Sequence, residues 1–166
     1  IEYCTSRSFG AAASTYGGYL GMYGAIRDCQ GVSGGIFAWL DRFDYSVSVH
    51  PLTELYGTIS RCTGDYGGAF LGYGLFVMDG DALIEDCNAQ DAGAVIPWTD
   101  SQAVMRGRSV IANCEAALTA GGILGYEGSK ILLSDDAKIV GCRAEDGGGI
   151  GVHGELEIAG RAKILD

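Results

Sequence analysis

No apolar run in this 166-residue chain approaches the roughly 20 residues that a membrane-spanning helix requires. No signal-peptide pattern opens it. Positive charge is scarce, with 11 lysines and arginines against 21 aspartates and glutamates and a formal net charge of −10. That balance argues against nucleic acid, which is bound through clustered lysine and arginine, and against anionic membrane surfaces. No dozen-residue stretch carries an apolar stripe at three- and four-residue spacing. The 28 glycines would weaken any helix by up to about 1 kcal/mol each. No L-x-x-L-x-L frame recurs, which excludes leucine-rich repeats. No C-x2-C pair exists, which removes the usual spacing of a zinc site.

What is there is a repeat. An isoleucine, two variable residues and a cysteine recur as IEYC (Ile1, Cys4), IRDC (Ile26, Cys29), ISRC (Ile59, Cys62), IEDC (Ile84, Cys87), IANC (Ile111, Cys114) and IVGC (Ile139, Cys142), with a partial copy at Ile164. The cysteines are 25, 33, 25, 27 and 28 residues apart, a period that means a solenoid. A glycine pair or near match follows each cysteine, as in Gly34-Gly35, Gly67-Gly68, Ala92-Gly93, Gly121-Gly122 and Gly147-Gly148. Apolar residues then alternate in short bursts, clearest at Ile150, Val152, Leu156, Ile158, Ala162 and Ile164. Period-two alternation punctuated by glycine is strand-turn-strand. The expected fold is all-β: a parallel β-helix of about six coils of about 25–28 residues, three strands and three corners per coil. Stacking at about 4.8 Å would make it roughly 28 Å long.

The phase of the repeat locates a corner. Cysteine follows isoleucine at an odd offset, so an unbroken strand would turn it outward. Small residues stand two positions beyond the cysteine, at Ser6, Gly31, Gly64, Ala89, Ala116 and Ala144. A corner just after the isoleucine resets the phase and turns both inward. Isoleucines and cysteines are therefore expected to form two interior columns, the cysteines reduced. Adjacent in-register coils hold Cα atoms within disulfide range, but parallel side chains leave the Cβ atoms farther apart than the preferred separation of about 3.8 Å. Buried free cysteine behaves as a small hydrophobe.

This pattern of I-x-x-C, a small residue, a glycine pair and an apolar residue resembles the right-handed β-helix repeats of the pectin-lyase-like superfamily. Closest are the GGAI-type repeats of polymorphic outer-membrane and autotransporter-like surface proteins, with cysteine where those often stack asparagine. The resemblance covers nearly the whole chain and implies right-handed coiling and an extracellular or cell-surface location. It implies no reaction, since one fold hosts both enzymes and inert rods.

Three features invite a functional reading. Asp79, Asp81, Asp135 and Asp136 fall in one corner when the repeats are aligned, and carboxylate clusters cleave polysaccharides. Acids and glycines also belong in such turns for backbone reasons, which is the preferred reading. Repeat two is longer by about eight residues, the surplus lying between Trp39 and Pro51, and solenoid insertions often carry binding. The candidate binding residues are Trp39, Asp41, Arg42, Phe43, Asp44, Tyr45 and His50, with Tyr73 and Trp98 beside them. Trp39, Tyr73, Trp98, Tyr126 and His153 recur at one phase. Inward they would be a core column, outward a platform for sugar rings or protein; core or corner packing is the expectation.

The chain is read as one domain, residues 1–166, excerpted from a longer protein. Its expected function is a non-catalytic structural or adhesive rod or filament segment. The alternative is a polysaccharide-binding or polysaccharide-cleaving β-helix, the lyase or hydrolase form being the enzymatic runner-up. No catalytic residue, cofactor or metal is assigned. Expected partners are other protein subunits or glycans, with assembly end to end or side to side, and neither nucleic acid nor membrane insertion.

Overall fold

In the computed structural model, which describes residues 1–7, 9–40 and 50–165, the chain is an all-β parallel solenoid. Three six-stranded sheets and one four-stranded sheet run along it, every pairing parallel. The first sheet stacks Ala13–Tyr16, Ile36–Trp39, Phe70–Gly72, Val95–Pro97, Ile123–Gly125 and Ile150–Val152. The second stacks Tyr19–Met22, Leu52–Leu55, Leu75–Met78, Gln102–Met105, Lys130–Leu133 and Glu155–Ile158. The third stacks Ala25–Arg27, Thr58–Ser60, Leu83–Glu85, Val110–Ala112, Lys138–Val140 and Lys163–Leu165. Six strands per sheet enclose about five complete turns, slightly fewer than expected.

Four of the turns also hold a fourth strand where three were expected. Gln30–Ser33, Thr63–Gly67, Asn88–Ala89 and Glu115–Ala116 pair just after the cysteines. Two of these segments are only two residues long, too short for alternation to mark them in the sequence.

The interior is a set of columns. Ile26, Ile59, Ile84, Ile111 and Ile139 lie in register and are fully buried. Cys29, Cys62, Cys87, Cys114 and Cys142 form the second expected column, at most 7% exposed. Ile36, Phe70, Val95 and Ile123 line the first sheet's inner face, and Leu55, Met78, Met105 and Leu133 line the second's.

The corner after the isoleucine is one residue in the left-handed region. It is Tyr3, Asp28, Arg61, Asp86, Asn113 or Gly141, each directly before a cysteine, with φ between 51° and 62°. Aspartate, asparagine and glycine tolerate that conformation best, and four of the six corners use them. One left-handed residue swings the chain and shifts the inward phase by one, which brings cysteine inside.

Close coil-to-coil approach explains the glycine marks. A side chain at Gly34, Gly68, Gly93 or Gly121 would run into the carbonyl oxygen of Gly68, Gly93, Gly121 or Gly148 on the next coil. Hence the equivalent residue is the first of the pair at Gly34-Gly35 and the second at Gly67-Gly68.

Candidate functional site

The recurrent aromatics stand at the corner after the first sheet. Register pairs Tyr16 with Trp39 and Phe37 with Leu71, and one further step brings Tyr73, Trp98, Tyr126 and His153 into the same column. This column shares its parity with Phe37, Leu71, Ile96 and Leu124, which alternate with the inward-facing Ile36, Phe70, Val95 and Ile123. The aromatics are therefore on the outer face of the sheet, half-buried at Trp39, Tyr73, Trp98 and Tyr126. They do not join the central core; corner packing describes them.

They cover a second apolar cluster of Phe37, Leu71, Ala92, Ile96, Ala120 and Leu124, into which Trp39, Trp98 and Tyr126 pack. Ring contacts run along the column. Trp39 stacks on Phe37 with centroids 5.2 Å apart and meets Tyr73 edge-on at 4.7 Å. Trp98 lies 4.6 Å from Tyr126, tilted by 34°. Trp39 and Trp98 are 6.4 Å apart. The rings are inclined to one another, so they present edges and partial faces rather than one flat plane.

Asp91 adds a carboxylate. It accepts a hydrogen bond from the Tyr126 hydroxyl, and burial raises its pKa. Burial, followed by the Asp91 charge, raises Tyr126. Sequence reasoning missed Asp91, because its column across the coils is Tyr66, Asp91, Thr119 and Asp146, in which no residue type recurs from one coil to the next.

Of the predicted binding residues, the structure brings together Trp39, Tyr73 and Trp98. His50 is exposed and lines a depression of about 250 Å³ with Gly74, Leu75, Asp100 and Gln102. Asp41, Arg42, Phe43, Asp44 and Tyr45 lie outside the described residues. A larger groove of about 440 Å³ runs along the second sheet, its walls including Gln102, Val104, Lys130, Leu132, Glu155 and Glu157.

The corner acids are engaged. Arg106 Nε donates to Asp79 at 2.8 Å, and Arg108 grips Asp81 through two bonds of 2.7 and 2.8 Å. Arg161 holds Asp136 through bonds of 2.7 and 2.6 Å, and Asp135 accepts the Gly107 N–H at 2.9 Å. Charge thus alternates coil by coil: acidic at 79–81, basic at 106–108, acidic at 135–136, basic at 161. The bidentate guanidinium hydrogen bonds hold Asp81 and Asp136 below the usual carboxylate range.

In the interior, all six cysteines are free thiols. Each S–H points to the carbonyl two residues back, at 3.2–3.7 Å. From Cys29 to Cys142, each sulfur also takes the backbone N–H of the cysteine one coil earlier and contacts neighbouring thiols. Among the described residues, no three or more His, Cys, Asp or Glu side chains gather as a metal site.

Comparison with family models, curated proteins and solved structures finds no match to this chain.

Proposed function

We propose that this chain is a non-catalytic structural or adhesive segment of a large extracellular or cell-surface protein, a building block of a rod or filament. The observation that carries the reading is the state of the corner acids. Asp79, Asp81 and Asp136 are each tied to an arginine of the next coil. Glycoside cleavage needs one carboxyl that donates a proton and another free to attack or to activate water. At Asp81 and Asp136 a guanidinium clasped across both oxygens keeps the acid ionised and occupies the atoms that such chemistry uses. The same pairs link coil to coil, as a rod requires. The resemblance of the I-x-x-C and glycine-pair pattern to pectin-lyase-like surface-protein repeats supports the location. A panel of neutral and acidic polysaccharides tests the reading. No new reducing ends or unsaturated products are expected, and sustained product release overturns it.

Polysaccharide binding without cleavage is the second reading, and the outward-facing column of Trp39, Tyr73, Trp98 and Tyr126 favours it. Aromatic rings bury apolar sugar faces, Asp91 stands ready to accept hydroxyl hydrogen bonds, and the net charge of −10 selects against anionic chains. Any glycan captured on an array should bind Trp98→Ala at least tenfold more weakly, about 1.4 kcal/mol. Equal binding by Trp98→Ala places the contact elsewhere.

A further inference from the structure

Two successive coils put a tyrosine at the same corner. Tyr23 follows Met22 and Tyr56 follows Leu55, which pair in the second sheet, and the Tyr56 N–H donates to the Met22 carbonyl at 2.9 Å. Equivalent positions on parallel in-register strands send their side chains the same way. The two rings accordingly lie face to face, centroids 4.9 Å apart and 8° from parallel. Among the described residues this is the only contact between two tyrosine rings. A glycine follows each of them, Gly24 and Gly57, so the next residue puts no side chain against the pair. Tyr23 is 71% exposed and Tyr56 is half-buried. Beyond Tyr56 the column continues as Asp79 and Arg106, which pair with each other, so the stack is two rings deep.

We propose that Tyr23 and Tyr56 are a site of oxidative cross-linking, at which a haem peroxidase using hydrogen peroxide joins the two phenols by a carbon–carbon bond and staples the first coil to the second. Each phenol gives up one electron and its O–H proton. The two phenoxyl radicals couple at ring carbons next to those bearing oxygen. The hydrogens on the coupled carbons then move to the oxygens, which restores both phenols. The two electrons and two protons reduce one peroxide to two waters.

The surroundings suit each step. Coupling requires the rings to turn from face to face to edge to edge, and Tyr23, with most of its surface in water, is free to turn. Its proton leaves to solvent. Glu54 is placed to take the other, since it accepts the Tyr19 O–H at 2.9 Å and also lies within hydrogen-bonding reach of the Tyr56 hydroxyl. Tyr3, Tyr16 and Tyr66 are exposed as well, but among the described residues no tyrosine ring lies against theirs, so their radicals lack a partner on the same chain. The bond from Tyr23 to Tyr56 would close the coil that carries the insertion, the longest of the array. A cross-link across a long loop removes the most entropy from the unfolded chain. Such a bond stiffens a rod of the kind proposed above, but its formation needs only the pair and the oxidant.

Dilute folded protein treated with a haem peroxidase and hydrogen peroxide tests the proposal. The product should be a monomer lighter by two hydrogen atoms, with the blue fluorescence of dityrosine and one cross-linked peptide pair carrying Tyr23 and Tyr56. Tyr23→Phe preserves the ring and should lose both the mass change and that peptide pair, whereas Tyr19→Phe should keep them. In urea the Tyr23–Tyr56 link should vanish, because only the fold brings the two residues together. The cross-linked monomer should melt at a higher temperature than the untreated one. A wild-type monomer that keeps all its hydrogens overturns the proposal, as does a link from Tyr23 to Tyr19 in place of Tyr56. Equal yield of the Tyr23–Tyr56 link in urea overturns it too, and so does a cross-linked monomer that melts no higher than the untreated chain. These readouts are all made on the wild-type chain, so they stand even where a variant fails to fold.

Discussion

At the scale of the residue, cysteine in this repeat does more than fill space. The left-handed residue before it turns the cysteine N–H into the interior, where an unpaired amide costs about 1–3 kcal/mol. The sulfur of the next coil receives it: Cys87 takes the N–H of Cys62, and Cys114 that of Cys87. A methyl group in place of the thiol fills part of the volume and leaves the amide orphaned. Cys87→Ala is therefore expected to lose about 2 kcal/mol in denaturant unfolding, and a loss under about 0.5 kcal/mol would mean that the amide finds another acceptor. Thr53 is the opposite case. It pairs with Leu20 and Phe76 on the inner face of the second sheet, is 1% exposed, and its hydroxyl has no hydrogen-bond partner. Thr53→Val keeps the branched shape and removes the buried hydroxyl. It should stabilise the fold by about 1 kcal/mol, read as a higher denaturant midpoint at constant slope; a lower midpoint would reveal a partner for the hydroxyl.

At the scale of the element, the corner between the second and third sheets is a ladder of alternating charge. Asp136 sits with its pKa depressed, chiefly by the hydrogen bonds from Arg161, so its contribution is complete above the unfolded-state value near 3.8 and is lost as pH falls through the folded value below it. The pair is solvent-exposed, so the effect is small and screened by salt. The melting-temperature gap between wild type and Arg161→Gln should narrow as pH drops from 5 towards 2, and should also narrow in high salt. A gap independent of pH would assign the loss to packing of the arginine stem. This corner was legible in the sequence because Asp79-Gly80-Asp81, Arg106-Gly107-Arg108 and Asp135-Asp136 align on the isoleucine. The isoleucine and cysteine columns were legible for the same reason, since an odd offset between two inward residues demands a corner. The fourth sheet was not, because pairs such as Asn88–Ala89 and Glu115–Ala116 are too short to alternate. Phase gave the aromatic column but not its direction: Trp39 and Trp98 follow Phe37 and Ile96 at even spacing, and both members of that pattern read as core until the sheet is seen to bury both faces. Asp91 was invisible, for a lone acid in a turn carries no signal until a neighbouring coil supplies Tyr126.

At the scale of the whole molecule, stability in a solenoid is a sum over neighbouring coils, so each coil must close at the length its neighbours allow. The insertion from Asp41 to His50 tests that rule. The third coil passes from Tyr73 straight to Gly74, whereas the fourth sets Thr99 and Asp100 between Trp98 and Ser101, so adjacent coils already tolerate different lengths at this corner. Pro51 occupies the Gly74 position, its carbonyl accepting the Leu75 N–H at 2.9 Å. Removing residues 41–50 leaves Leu40 alone between Trp39 and Pro51, a length between those of the two following coils. Both flanking strands keep their partners, since Ile36–Trp39 pairs with the first and third coils and Leu52–Leu55 does likewise. The deletion should therefore retain the β circular dichroism spectrum and a cooperative melt within a few degrees of wild type. If the corner closes as expected, any glycan or protein that wild type captures through the insertion should bind the deleted chain at least tenfold more weakly, about 1.4 kcal/mol. Loss of the cooperative melt would instead make the insertion a brace for the second and third coils, and would move it from the binding surface to the scaffold.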